Sequence, residues 1–172
     1  GNIGEGAGAK YKYYRPFLML SLMADYYLWK MDVRGYHITT ILSHILAALA
    51  IFWLINILFA DNLLSFLTGI LFVAHPIHTE DVAYITGRSD SLAVLFMLLA
   101  FIFYIKNLGY RNQEGLILMM LSYTLSVLSK ETALIFPAFV LLYHYTFKRK
   151  IDIKLFLPIM GIVFSVLLIR GF

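Results

Sequence analysis

The apolar runs of this chain leave few folds open. Residues 37–59, 63–74, 91–105, 116–128, 132–147 and 155–169 are each dominated by Leu, Ile, Phe, Val and Ala. The first run has the ~20-residue length that crosses ~30 Å of hydrocarbon as a helix. The chain is 61% hydrophobic and 14% charged, against ~45–50% and ~25% in a soluble domain. Both departures point to an integral membrane protein. Inside a bilayer every backbone polar group must find its partner within the protein, which helices achieve segment by segment. The expectation is an all-α, polytopic transmembrane helix bundle of about six spans. The run 63–74 is short, which is tolerated where a helix lines a protein cavity.

Ahead of these runs lies a Gly-rich, then basic and aromatic lead-in, followed by Tyr14-Arg15-Pro16. Proline is well placed at the first turn of a helix. Phe17, Leu20, Leu22, Tyr26, Tyr27 and Trp29 then recur at helical spacing, interrupted by Asp25 and Lys30. Tyr and Trp favour the headgroup level, so residues 16–30 read as an N-terminal interfacial helix. The chain divides into an extracytoplasmic loop with this helix, 1–36, and a bundle, 37–172. It opens at Gly1 without an initiator Met and closes just after an apolar run, so it reads as a segment of a larger protein, truncated at both ends.

Charge orients the bundle. Counting crossings puts 75–90 and Ser129-Lys130-Glu131 on the same side as the N-terminal segment. The opposite connectors hold Lys106, Arg111, Lys148, Arg149, Lys150 and Lys154, whereas the loops on the first side hold Arg88 and Lys130. The excess of Lys and Arg marks the cytoplasm, although Lys10, Lys12, Arg15, Lys30 and Arg34 lie in the N-terminal segment on the other side. The net charge of +4 therefore reports topology, and no nucleic-acid partner is expected. His144 and Tyr143 near the cytoplasmic end read as interface anchors, and Pro137 as a kink in the fifth run. His44 sits mid-span, one turn from Thr40, and reads as an interhelical hydrogen-bonding residue.

Three polar clusters, far apart in sequence, thus share the non-cytoplasmic side: Arg15 with Asp25, His75 through Asp90, and Ser129-Lys130-Glu131. Charges at the ends of spans are costly unless paired or functional. Glu80 and Asp81 are adjacent carboxylates and the candidate catalytic pair, able to supply a base, a metal ligand or a group that positions a sugar hydroxyl. The alternative is a solvated loop that caps the next helix. His75 and His78, at i and i+3, share a helical face and with Glu80 could hold a metal. Pro76 opposes a regular helix there, the spacing is not the i, i+4 pair of zinc hydrolases, and no complete ligand set is present. A divalent metal is compatible with the site without being required by it. Arg88 and Lys130, with Arg15, suit an anion such as a lipid phosphate, Arg by bidentate hydrogen bonds and Lys as a point charge. The alternative is local pairing, of Arg88 with Asp90 or Glu80 and of Lys130 with Glu131. His75, His78, Asp90 and Glu131 are the candidates for positioning substrate. With no cysteine, disulfides and thiolate metal sites are excluded.

Four motifs occur in order: Tyr14-Arg15-Pro16-Phe17; Gly35-Tyr36-His37 entering a span; His75-Pro76-Ile77-His78-Thr79-Glu80 with Gly87-Arg88-Ser89-Asp90; and Leu128-Ser129-Lys130-Glu131. Together they resemble the membrane-embedded transferases related to the transmembrane and tetratricopeptide-repeat O-mannosyltransferases and their bacterial relatives, in the C-type glycosyltransferase superfamily. The resemblance implies transfer of a sugar from a polyprenyl-phosphate carrier to a protein or glycan acceptor on the non-cytoplasmic face, in a bacterial inner membrane or the endoplasmic reticulum. It implies that Arg15 sits near the active-site loop, that Arg88 and Lys130 neutralise the carrier phosphate, and that Glu80 is a second acidic group that positions acceptor or metal. It also implies an acidic motif in the first extracytoplasmic loop, which this chain lacks, so the proton-accepting group is expected outside it. The alternative is a non-catalytic membrane subunit or scaffold of the same fold, working with a partner subunit. A transporter would need paired inverted repeats, which the sequence does not show.

Overall fold

The computed structural model describes residues 15–78, 84–110 and 112–170. The described residues form seven α-helices: α1 (Pro16–Trp29), α2 (Val33–Phe59), α3 (Asn62–Ala74), α4 (Arg88–Tyr110), α5 (Gln113–Ser129), α6 (Phe136–Thr146) and α7 (Ile153–Arg170). Short 3-10 turns at Pro76–His78, Ile85–Gly87 and Glu131–Ile135 sit where the polar clusters were located in sequence. Two stretches, Val33–Phe59 and Ile85–Gly109, are long and apolar enough to cross a bilayer; Asn62–Ala74 and Ile153–Ile169 are apolar but shorter.

Local chemistry sets the helix ends. Pro16 opens α1, where its missing N–H is no loss. The Asp32 carboxylate caps α2 by accepting the Arg34 N–H, and Asp61 caps α3 by accepting from Leu63 and Leu64. Between them Ala60 takes a left-handed conformation at φ 52°. The two-residue connection makes α2 and α3 an antiparallel hairpin, and the Asn56 amide donates to Asn62 across it at 2.7 Å. Asn112 caps α5 in the same way through Gly115. Pro137 lies in the first turn of α6, so it starts that helix after a 3-10 turn where a kink in one continuous run was expected. The proline inside a helix is Pro158, in α7.

Helix α4 is the central element, with a buried face on each side. One face joins Ala100 and Tyr104 to Met119, Tyr123 and Val127 of α5, Phe136 and Val140 of α6, and Leu155 and Ile159 of α7. The other joins Leu95 and Ile102 to Ala47, Ala50 and Leu54 of α2, with Phe72 of α3 against them. Small residues let the backbones approach: the buried Ser126 hydroxyl donates to the Ala93 carbonyl at 2.6 Å. Close packing and interhelical hydrogen bonds of this kind hold helices together where surrounding lipid is as apolar as the side chains. Outward faces carry Leu42, Ile45, Leu49, Leu71, Leu118, Leu121, Leu142 and Leu168, all exposed. An apolar surface this extensive marks contact with a membrane or with other protein. The interface anchors expected at the far end are otherwise placed: Tyr143 and His144 are buried, and Tyr145 and Phe147 are exposed there.

Candidate active site

The polar clusters meet at one end of the bundle, where α1, α2, α4 and α5 come together. Arg15, just before α1, reaches Glu131 at 3.1 Å and the Ser89 hydroxyl at 3.4 Å. Ser89 in turn donates to the Thr86 carbonyl. Lys130 pairs with Asp90 in the first turn of α4. Residues separated by 116 and 40 positions in sequence are thereby in contact. All four charged side chains are partly open: Arg15 and Glu131 at 21% and 37%, Lys130 and Asp90 at 25% and 30%. The pairing of Lys130 with Glu131, one sequence alternative, is replaced by Lys130 with Asp90 and Arg15 with Glu131.

Arg88 behaves differently. It is 2% exposed, and Asp25 of α1 is 3% exposed. Its Nη1 lies 2.5 Å from the Asp25 carboxylate. Its Nε donates to Thr40 Oγ1 at 3.1 Å, and Nη2 donates to the Tyr36 carbonyl at 2.7 Å and Thr39 Oγ1 at 2.8 Å. Thr39 completes the set by donating to Asp25 at 2.7 Å. Every nitrogen of the guanidinium is thus bonded to protein. Arg88 was expected at the carrier phosphate, with Asp90 or Glu80 as its alternative partners. In this structure it is a clamp that ties α1 and α2 to the start of α4. A buried pair survives desolvation only with such complete hydrogen bonding.

His75 and His78 form a third patch. His78 packs on Phe72 at 4.3 Å and near His44 at 5.2 Å, and His44 stacks on Phe72 at 4.9 Å. The His75 and His78 rings are 6.2 Å apart. Tyr36, Thr40 and His44, four residues apart, share one face of α2. The histidine patch therefore lies one turn along α2 from the Arg88 clamp. Among the described residues, no group of three His, Cys, Asp or Glu could hold a metal ion. Glu80 and Asp81 lie outside the described residues.

Sequence reasoning placed Arg15, Asp25, Arg88, Asp90, Lys130 and Glu131 on one side, and the contacts bring them together. It missed the parts played by Tyr36, Thr39 and Ser89. The stripe of Tyr36, Thr40 and His44 in an otherwise apolar run was the available signal.

No protein-family model matches the chain, and no solved structure does. Similarity to curated proteins is clear. Protein O-mannosyl-transferase TMTC1 of Homo sapiens is 34% identical over 142 residues, covering 76% of this chain and 16% of that protein. Protein O-mannosyl-transferase F38B6.6 of Caenorhabditis elegans is 35% identical over 127 residues, 72% of this chain and 18% of that protein. Protein O-mannosyl-transferase TMTC2 of Homo sapiens is 35% identical over 105 residues, 61% and 13% respectively. The chain spans less than a fifth of the length of each of these three. Over most of its own length the chain is a homologue of proteins named as protein O-mannosyl-transferases, in keeping with the resemblance its four motifs carry.

Proposed function

We propose that this chain forms part of a membrane mannosyltransferase that takes mannose from a polyprenyl-phosphate carrier and passes it to a protein hydroxyl on the non-cytoplasmic face. One observation carries the reading. Two partly exposed cations, Arg15 and Lys130, converge beside Ser89 and Asp90 at the end of the bundle where α1, α4 and α5 meet. The relatives' names supply the sugar and the protein acceptor.

In the proposed reaction the acceptor oxygen attacks the anomeric carbon, the bond from that carbon to the carrier phosphate breaks, and the phosphate leaves with the electron pair. Electrostatic stabilisation of that leaving group is the main requirement. Lys130 and Arg15 supply it, and Asp90 and Glu131 hold them in place before the carrier arrives. Arg88, sealed against Asp25, keeps the frame. The hydroxyl proton passes to a carboxylate, for which Glu80 is the candidate within this chain, with Asp81 beside it. His75 and His78 position the acceptor, and a divalent metal would draw ligands from the Glu80 loop. The shorter helices α3, α5, α6 and α7 complete about six spans, preceded by α1 in the interface, with 1–36 as loop and interfacial helix and 37–172 as bundle. The membrane is the endoplasmic reticulum or a bacterial inner membrane.

The test is transfer in proteoliposomes from radiolabelled mannosyl-phosphoryl-polyprenol to a Ser/Thr acceptor peptide. Wild-type full-length protein should label the peptide, and Glu80→Gln should lower the rate by about 10²-fold or more, the scale of acid–base catalysis. A folded, inserted wild-type protein that transfers nothing would leave the scaffold reading in its place.

A further inference from the structure

At the opposite end of the bundle a cavity of about 580 Å³ opens between the end of α4, the end of α6 and the start of α7. Arg149, Lys150 and Lys154 line it with a single carboxylate, Asp152, and Leu108 forms part of its wall. Lys148 adjoins them in sequence.

These cations are presented by a fixed turn. His144 is 4% exposed, and its two ring nitrogens are both engaged. Nδ1 faces the Arg149 carbonyl at 3.1 Å. A carbonyl can only accept, so Nδ1 carries the proton. In the neutral ring Nε2 then accepts the Tyr104 hydroxyl of α4, 2.7 Å away. The Arg149 N–H also donates to the His144 carbonyl at 3.1 Å. Asp152 caps α7 through its side chain to the Lys154 N–H and through its carbonyl to Leu155 and Phe156. Both ends of the segment 149–154 are therefore held against the bundle. Around its mouth Tyr145 and Ile153 are strongly exposed, and Phe147 and Ile151 partly so. Exposed aromatic and apolar side chains beside cations mark the level where headgroups meet acyl chains.

We infer that this cavity binds the phosphate-bearing headgroup of an anionic membrane lipid. Membrane anionic lipids are drawn to clustered Lys and Arg at the cytoplasmic surface. Three cations against one carboxylate give the charge, and the exposed Ile151 and Ile153 give the glycerol and acyl region an apolar bed. The inference rests on the bundle being embedded in a bilayer and does not depend on the transfer reaction at the other end.

Full-length protein in phosphatidylcholine nanodiscs carrying spin-labelled phosphatidylserine or spin-labelled phosphatidylcholine gives the readout: the ratio of motionally restricted probe for the two lipids. Failure to enter nanodiscs would count against the membrane reading itself. For the inserted protein, phosphatidylserine should be favoured by roughly fivefold for each cation engaged. Arg149→Gln with Lys150→Gln should lower the ratio by up to about 25-fold, the product of two such factors, while Lys30→Gln at the other end leaves it unchanged. Asp152→Asn keeps a capping side chain, adds net positive charge and should raise the ratio, which supplies an independent check if the double variant folds poorly. His144→Phe should lower the ratio with all charges retained, because the turn is released. A ratio that the double variant and Asp152→Asn both leave at the wild-type value overturns the assignment. So does complete loss of the preference in millimolar inorganic phosphate, which would make the cavity a site for a soluble anion.

Discussion

Arg88 shows how a single side chain can carry an architecture. Its partners Asp25, Tyr36, Thr39 and Thr40 come from α1 and α2. Removing one member leaves the other buried and charged, a loss of about 3–5 kcal/mol. Asp25→Ala and Arg88→Ala should both lower the unfolding midpoint in detergent and be poorly inserted. Replacing the pair together with Leu and Met should recover much of that loss, and a double variant as unstable as the worse single would refute the clamp. Gly35 is a second such residue. A Cβ there would sit 2.1 Å from Trp29 Cγ and 2.7 Å from Trp29 Cβ, near the root of that side chain, which cannot swing aside. Gly35→Ala should cost about 1–3 kcal/mol by overpacking, read as a lower melting midpoint. Both residues stood out in the sequence, Arg88 as one of two loop cations and Gly35 in the motif Gly35-Tyr36-His37 that enters the first span. Their roles were not legible, because the partner of Arg88 lies on another helix and the close approach to Trp29 depends on how α1 meets α2.

At the level of elements, the periodic apolar runs gave away the helices because each must bury or present one kind of surface along its whole length. Their starts were harder, since N-caps such as Asp32, Asp61 and Asn112 begin the helices ahead of the apolar runs at 37, 63 and 116. The break between Glu131–Ile135 and α6 was also hidden: Pro137 fits a kink or a first turn equally well, and only the 3-10 turn ahead of it decides. The α4–α5 contact makes a direct prediction. Ser126 donates to the Ala93 carbonyl, but such bonds between helices in lipid contribute little, about 0.6 kcal/mol on average. Ser126→Ala should thus be nearly silent in thermal unfolding. Ala100→Leu, at a fully buried position of α4, should be clearly destabilising, by about 1–3 kcal/mol. Equal effects from the two would mean that hydrogen bonding, not close packing, joins α4 to α5.

The molecule as a whole separates two chemistries onto its two ends. One end gathers Arg15, Asp90, Lys130 and Glu131 in partly exposed pairs. The other presents Arg149, Lys150 and Lys154 on a clamped turn. Convergence of the first set was readable from sequence, because counting crossings in a bundle of antiparallel helices places alternate loops together. The division of labour within it was not: sequence treats Arg15, Arg88 and Lys130 alike, and only burial separates the sealed Arg88 from the two open cations. That division is the central claim, and kinetics with the carrier substrate test it most directly. In proteoliposomes, Lys130→Gln should raise KM for mannosyl-phosphoryl-polyprenol or lower kcat, with kcat/KM down by about 10-fold or more, the effect of about 1.4 kcal/mol of lost phosphate stabilisation. The far-end variant Lys150→Gln should leave kcat/KM unchanged. Wild-type kcat/KM in folded Lys130→Gln would contradict the placement of the carrier phosphate at this end of the bundle.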